Sequence, residues 1–195
     1  MWRRSPISRL VLLLSLLTAA CAPAPVEPPE PEGLVDLGGR SADPRQGAHG
    51  PVVFLFVRDD CPVANRYAPE MKDLWRRFSP AGVSFWLVYP DPAATPESIR
   101  RHREEFDLPL PALRDREHRL AAETGVEVTP EAAVFDASGR LVYRGRIDDR
   151  WASFGRSRPE PTRRDLAEVL QALAAGETVT PRTTEAVCCY VDDLR

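Results

Sequence analysis

The sequence predicts an α/β fold, a three-layer α/β/α sandwich around a mixed β-sheet. Two apolar runs, 51–57 and 82–90, have the unbroken hydrophobic character of central strands that are buried on both faces. A helical pattern follows each run, which implies a parallel pair of strands joined by right-handed crossovers. A β-hairpin over 131–145 adds antiparallel strands, and a final amphipathic helix completes the pattern.

Four helices are predicted from the spacing of apolar residues and from signals at the helix ends. Pro69 lies near the start of the first helix, where we expect a kink. Thr95 has the side chain of an N-cap and precedes a proline in the first helical position. Gly125 follows the third helix, and glycine commonly follows a helix end. The four helices span 63–79, 95–107, 116–125 and 162–177.

The remaining strands are shorter. Residues 110–115 form a short extended piece, and residues 34–40 indicate an additional N-terminal strand. An Asp-Ala-Ser-Gly turn connects the two strands of the hairpin. Strand 131–136 should run antiparallel to strand 52–57, and strand 140–145 should run antiparallel to strand 131–136.

The first 33 residues predict an export signal and a tether. Residues 1–20 combine three arginines, a short apolar core and small residues directly before Cys21. This order is similar to a bacterial lipobox, which implies cleavage before Cys21 and a lipid on its sulfur; an ordinary signal peptide with an incidental Cys21 is the alternative. Residues 21–33 are rich in proline and glutamate and favour an extended polyproline II tether. We therefore expect a membrane-anchored lipoprotein that faces the periplasm or the cell exterior.

Charge and composition bound the class of function. The chain has 26 basic and 29 acidic residues, and the basic ones are scattered singly or in pairs. Because nucleic-acid sites concentrate basic residues, we expect no nucleic-acid partner. The folded domain is assigned to 34–177, and 178–195 form a C-terminal tail without clear periodicity, which we expect to be flexible.

Four cysteines indicate redox chemistry. If Cys21 carries a lipid, then Cys61, Cys188 and Cys189 remain in an oxidising compartment. Three thiols cannot all pair within one molecule, so one is always free or joined to a partner. An odd thiol is what thiol-disulfide exchange requires.

Cys61 is the candidate nucleophile. It follows a predicted strand and precedes Pro62, which suits the first position of a helix. Unpaired N–H groups at a helix start favour the thiolate, which is the attacking form. Arg58 and Arg66 add positive charge, whereas two aspartates before Cys61 oppose the thiolate and argue against deep burial.

Cys61-Pro62, Thr129-Pro130 and the sequence YRGRIDD (143–149) together resemble the thioredoxin-like superfamily. Within it, the chain is most similar to the exported redoxin group, which includes thiol-disulfide oxidoreductases and relatives of the peroxiredoxins. The resemblance implies that Pro130 is cis and faces the reactive Cys61. It also implies protein thiols and disulfides, or a peroxide, as reaction partners, and we expect no cofactor.

Two departures from the family pattern bear on mechanism. Ala64 stands where the usual motif has its second cysteine, so a dithiol cycle within one loop is excluded. Arg58 stands where peroxiredoxins have Thr or Ser three residues before the cysteine, and that hydroxyl helps to hold the peroxide.

The predicted topology brings the end of the hairpin to the sheet edge that carries Cys61. Gly145, Arg144 and Arg146 are therefore expected close to the thiol and to the Pro130 loop. Gly145 would let a partner chain approach closely. Arg146 either stabilises a thiolate or pairs with the two aspartates that follow it, and a solvated strand end is an equal alternative for both arginines.

An isolated Cys61 can form a mixed disulfide or a sulfenic acid but needs a second thiol to resolve it. A mobile tail can supply Cys188 or Cys189, and Cys189 is preferred because related redoxins end in a Gly-Cys-like pair with the cysteine second. A Cys188–Cys189 disulfide and a purely structural bridge from Cys61 to the tail are the competing interpretations.

The sequence therefore predicts an envelope thiol-disulfide oxidoreductase with Cys61 as nucleophile and a tail cysteine as resolving thiol. The alternatives are a thiol peroxidase of the same fold, a copper metallochaperone and a non-enzymatic binding module. His49, His102 and His118 are each expected to be solvated surface residues. One of them, with the cysteines, could complete a copper site, but no Cys-x-x-x-Cys pair supports it and we expect no metal.

Overall fold

A seven-stranded mixed sheet forms the centre of the protein in the computed structural model, which describes residues 32–153 and 155–191. Its strands are β1 (Val35–Asp36), β2 (Val52–Phe56), β3 (Ser84–Tyr89), β4 (Ala112–Arg114), β6 (Glu131–Phe135), β7 (Leu141–Gly145) and β10 (Arg182–Thr183), in the order β1-β4-β3-β2-β6-β7-β10. Two small ribbons accompany it, β5 (Val128–Thr129) with β11 (Cys189–Tyr190) and β8 (Trp151–Ser153) with β9 (Arg156–Ser157). The helices are α1 (Pro62–Arg66), α2 (Ala68–Phe78), α3 (Pro96–Glu105), α4 (Arg119–Thr124) and α5 (Asp165–Ala174).

The pairing of the central strands confirms the predicted mixed sheet. Strand β2 runs parallel to β3 and antiparallel to β6, and β6 runs antiparallel to β7. All five residues of β2 are buried, as a strand covered on both faces requires. The short strand β1 confirms the extended segment expected within 34–40.

Two apolar clusters on opposite faces of the sheet give the three layers. Side chains of α2 and α5, including Met71 and Leu170, pack with Leu55 on one face. On the other face, Leu120 of α4 packs with Phe54. The residues on either side of Phe54 in β2, Val53 and Leu55, point to the first face because side chains alternate along a strand. The period-2 alternation of the strands therefore separates the two helical layers, which confirms the predicted sandwich.

The predicted signals at helix ends are present. Thr95 accepts a hydrogen bond from the Ser98 backbone N–H, and Ser98 in turn caps the Thr95 backbone, which forms a capping box at the start of α3. Gly125 ends α4 in the left-handed conformation. The kink expected at Pro69 is an interruption at Tyr67, which separates α1 from α2.

The C-terminal tail, which was expected to be flexible, is docked on the domain through two short strands within the described range 178–191. Strand β10 pairs parallel with β7, with Arg182 opposite Tyr143. Strand β11 pairs antiparallel with β5, with Cys189 opposite Thr129. Main-chain pairing of this kind needs no apolar periodicity, and the sequence therefore gives no signal for it.

Gly145 allows the tail to lie against β7. It has φ +147°, and a Cβ at this position would meet the backbone of Thr184, including its nitrogen at 2.8 Å. The Thr184 backbone N–H donates to the Arg144 carbonyl at 3.0 Å, and the Arg146 N–H donates to the Thr184 hydroxyl at 3.2 Å. Close approach at Gly145 was expected, but the approaching segment is the protein's own tail.

The predicted signal peptide (1–20), the lipidation site Cys21 and nearly all of the tether lie outside the described residues. Within the described ranges, the longest helix is α2, and no helix has the length and apolar character needed to cross a bilayer.

We expect Gly145→Ala to release the tail. The added methyl group would overlap the Thr184 backbone, and such overpacking costs about 1–3 kcal/mol. Limited proteolysis with trypsin measures the release, because Arg182 lies in the docked strand β10. Cleavage after Arg182 should be faster in the variant than in the wild type.

The control is Gly139→Ala in the hairpin turn. Gly139 also has a positive φ, +79°, but an added Cβ there meets no heavy atom within 4 Å. It should lower stability without exposing Arg182. Equal protection of Arg182 in Gly145→Ala and the wild type would contradict this account of tail docking.

Candidate functional site

Three cysteine sulfurs meet where the tail crosses the end of the central sheet. The Sγ atom of Cys61 lies 2.9 Å from that of Cys189 and 3.9 Å from that of Cys188. The Cys188 and Cys189 sulfurs are 3.5 Å apart, and all three residues are free thiols. The fold therefore brings together the predicted nucleophile and both predicted resolving thiols.

Cys61 lies at the junction of β2 and α1, in the N-cap position predicted from the sequence. Its backbone is extended, with φ −86° and ψ 110°, and Pro62 occupies the first turn of the helix. The Cys61 carbonyl accepts from the Asn65 N–H at 3.0 Å, which begins the helical hydrogen-bonding pattern.

The Cys61 side chain is fully buried, so the expectation against deep burial is wrong. Cys61 belongs to the apolar core cluster, and the docked tail brings two further thiols against its sulfur. The preceding aspartates do not prevent this, because Asp60 is exposed and pairs with Arg58 at 3.0 Å.

The peptide bond between Thr129 and Pro130 is cis, as the resemblance implies. The Thr129 carbonyl lies 3.6 Å from the Cys61 sulfur and accepts from the thiol. The Thr129 hydroxyl donates to the Cys189 carbonyl at 3.4 Å. This loop therefore contacts the Cys61 sulfur and the tail at the same time.

Further contacts hold the last described residues of the tail, Tyr190 and Val191. The Val191 N–H donates to the Glu127 carbonyl at 3.0 Å, and the Val191 side chain is buried. The Arg58 guanidinium donates to the Tyr190 carbonyl at 3.4 Å and pairs with Asp91 at 3.3 Å. Arg58, which replaces the peroxiredoxin hydroxyl residue, thus connects the Cys61 loop to the tail.

The local environment raises the pKa of both tail thiols. Burial is the largest cause for Cys189, and its hydrogen bond to Cys61 adds to the effect. Burial also raises the pKa of Cys188, with partial opposition from its hydrogen bond to Cys189. In the docked state the protonated form of each tail cysteine is therefore favoured.

Arg66 and Arg146, which were predicted to support the site, contact side chains other than the three cysteines. The guanidinium of Arg66 lies over the Trp151 ring, 5.7 Å from its centroid. Arg146 donates to Asp165 at 2.7 Å, and Asp149, one of the two aspartates expected to pair with it, interacts with it electrostatically. The Asp165 carboxylate raises the pKa of the Arg146 guanidinium.

Two of the three histidines are buried, so the prediction that all are solvated is wrong for His102 and His118. His118 donates to the Pro90 carbonyl at 2.7 Å. His102 accepts from the Tyr89 hydroxyl at 2.8 Å and donates to the Asn65 side chain at 2.8 Å. Polar partners at both ring nitrogens make this burial possible. His49 is exposed, as expected.

The His102 network and the contact from Arg58 to Tyr190 are the parts of the site region that sequence reasoning missed. Asn65 belongs to α1, so the network joins α3 to the helix that begins at Cys61. The pairing of Tyr190 with Val128 is made by the backbone, so no pattern of side chains in the sequence predicts it.

The sequence profile of the AhpC/TSA family matches residues 38–144. A candidate peroxiredoxin, bcp, from Coxiella burnetii is 24% identical over 104 residues, which is 53% of this chain. The chain spans 61% of the length of that curated relative.

Solved structures share the thioredoxin-like fold. An uncharacterized conserved protein from Geobacillus kaustophilus matches with a TM-score of 0.66 and 25% identity, covering 82% of this chain and 86% of its own. A hypothetical protein from Sinorhizobium meliloti has a TM-score of 0.69 and 21% identity, covering 82% and 88%. A secreted Mycobacterium tuberculosis disulfide oxidoreductase, homologous to E. coli DsbE, has a TM-score of 0.51 and 18% identity, covering 74% and 94%.

We expect His102 to make stability depend on pH. Burial lowers the pKa of His102 below its usual value near 6.5, although Asp59 and Glu105 oppose the shift. The unfolded chain then binds the proton more readily than the folded one. The stability contributed by neutral His102 is complete above about pH 6.5 and is lost as the pH falls, with a slope of at most about 1.4 kcal/mol per pH unit.

Urea unfolding between pH 7.5 and 5 measures this effect. His102→Gln should flatten the dependence, whereas His49→Gln, at an exposed position, should retain the wild-type profile. A wild-type profile in His102→Gln would refute the assignment.

Proposed function

The chain belongs to the AhpC/TSA family, and we propose that it is a thiol-disulfide oxidoreductase in which Cys61 is the nucleophile and Cys189 the resolving thiol. The observation that carries this proposal is the distance of 2.9 Å between their sulfurs. Cys188 lies 3.9 Å from Cys61, so Cys189 is the nearer partner.

The reaction consists of two exchanges. The Cys61 thiolate attacks one sulfur of a substrate disulfide, forms a mixed disulfide and releases one substrate thiolate. The Cys189 thiolate then attacks the Cys61 sulfur, which forms the Cys61–Cys189 disulfide and releases the second substrate thiolate. Two electrons pass to the substrate, and two protein thiols become a disulfide; the reverse sequence oxidises a dithiol substrate.

Access to Cys61 requires the tail to lift, because the docked tail leaves Cys61 fully buried. Lifting would break the pairing of β11 with β5 and the hydrogen bond from the Val191 N–H to the Glu127 carbonyl, and each hydrogen bond contributes about 0.5–1.5 kcal/mol net. Local opening of β11 is therefore much less costly than unfolding of the domain. Lifting also returns Cys189 to solvent, where the burial that raises its pKa no longer acts.

The proposed location is the cell envelope. Residues 1–20 have the composition of an export signal, and Cys21 follows small residues as in a lipoprotein. A lipid on Cys21 and the proline-rich tether would hold the domain near a membrane surface. The cell envelope is an oxidising compartment, in which disulfides form and persist. The partners are protein disulfides or thiols.

Single serine variants separate the roles of the cysteines. Cys61→Ser should abolish reduction of a model disulfide such as oxidised glutathione. Cys189→Ser should accumulate the mixed disulfide between Cys61 and the substrate, because the near thiol is absent. Cys188→Ser is the matched control and should retain most of the activity.

Intact-mass spectrometry under non-reducing conditions detects the trapped adduct. These measurements use the full chain with Cys21→Ser, so that the anchor thiol does not react. Equal adduct levels in Cys188→Ser and Cys189→Ser would overturn the assignment of Cys189, and undiminished activity in Cys61→Ser would overturn the mechanism.

A thiol peroxidase is the second candidate, and the AhpC/TSA match together with the peroxiredoxin relative favours it. In that reaction Cys61 would attack hydrogen peroxide, forming a sulfenic acid and water, and Cys189 would condense with it to a disulfide and a second water. Arg58, in place of the hydroxyl residue, and the buried thiol weigh against it.

Stopped-flow oxidation by hydrogen peroxide distinguishes the two candidates. We expect Cys61 to react no faster than free cysteine at the same pH. A rate at least about a hundredfold higher, retained in Cys188→Ser and lost in Cys61→Ser, would establish the peroxidase instead.

A further inference from the structure

The three sulfurs of Cys61, Cys188 and Cys189 form a small closed triangle. Its sides are 2.9, 3.5 and 3.9 Å. Among the described residues, this is the group of cysteine, histidine and acidic side chains whose ligand atoms converge closely enough to hold a metal ion. A disulfide uses two of these sulfurs and leaves the third without a role in the exchange reaction.

The size of the triangle suits a single ion. A point equidistant from the three sulfurs lies roughly 2 Å from each of them, whereas metal–thiolate bonds are about 2.3 Å long. An ion placed slightly above the plane therefore reaches all three sulfurs with little movement of the side chains.

The number and type of ligands select the metal. Soft thiolate ligands favour Cu(I) and Zn(II) over hard cations. Zn(II) in closed protein sites takes four tetrahedral ligands, and only three sulfurs converge here among the residues described. Cu(I) is stable with three thiolate ligands, so the donor set matches it better.

We propose that the reduced protein binds one Cu(I) ion through the sulfurs of Cys61, Cys188 and Cys189. The ion replaces the three thiol protons, which pass to solvent, and the copper keeps its oxidation state. Burial of Cys61 keeps water from that side of the site. Arg58, which donates to the Tyr190 carbonyl, places a positive charge near the anionic cluster.

Copper binding and disulfide formation exclude each other, because both use Cys61 and Cys189. The oxidised protein should therefore bind no Cu(I). Cys188 separates the two properties: it is a ligand in the copper site but takes no part in the proposed exchange.

The experiment is an anaerobic competition titration of the full chain carrying Cys21→Ser. Cu(I) is supplied as its bathocuproine disulfonate complex, and transfer to the protein is followed by loss of the colour of that complex. We expect one equivalent per chain in the reduced protein. X-ray absorption should show three sulfur neighbours at about 2.3 Å, the usual metal–thiolate distance.

Cys188→Ser is the decisive variant. Its affinity for Cu(I) should fall at least about tenfold, with two sulfur neighbours remaining, while its activity in disulfide exchange is retained. Circular dichroism checks that the variant is folded.

Failure to take Cu(I) from the competitor, two sulfur neighbours in the parent protein, an unchanged affinity in Cys188→Ser, or tighter binding of Zn(II) in a parallel titration would each overturn the proposal. None of these results bears on whether Cys61 and Cys189 exchange disulfides, which the activity of the same variants reports separately.

Discussion

The main-chain pairing of the tail with the domain is the interaction on which the site depends. Two residues of β11 pair with the two residues of β5 that precede Pro130, and this pairing sets Cys189 opposite Thr129. In this arrangement Cys61 is buried and the Cys189 sulfur lies 2.9 Å from the Cys61 sulfur. Upstream, the close approach of Thr184 to Gly145 fixes where the tail leaves the sheet. The helix that follows Cys61 has Ala64 where the usual motif has a second cysteine. The backbone pairing of the tail brings Cys189 next to Cys61 instead.

The position of the tail is linked both to the burial of Cys61 and to the pKa of Cys189. With the tail docked, the Cys61 side chain is buried and the protonated form of Cys189 is favoured, since burial raises the pKa of Cys189. In the proposed mechanism, lifting of the tail gives a substrate access to Cys61 and removes the burial that raises the pKa of Cys189. We infer that this opening is a local motion, because β11 has two residues.

The central fold was predictable because its signals are local. The apolar run that became β2 is buried along its whole length, and Thr95 begins α3 with the expected cap. The sequence predicted that Cys61 and the tail cysteines come together, but it did not predict that Cys61 is buried. The tail cysteine nearest to Cys61 lies 128 residues away, and the pairing of its strand depends on backbone groups that every residue carries. The burial of His102 escaped prediction for a related reason, because its partner Asn65 comes from another helix.

Non-reducing peptide mapping tests the central claim most directly. The full chain with Cys21→Ser would be treated with one equivalent of a disulfide substrate, quenched with acid, alkylated and digested. The account predicts a peptide pair that joins Cys61 to Cys189, with Cys188 recovered as the alkylated thiol. A Cys188–Cys189 disulfide with Cys61 alkylated, or the absence of any link from Cys61 to the tail, would contradict it.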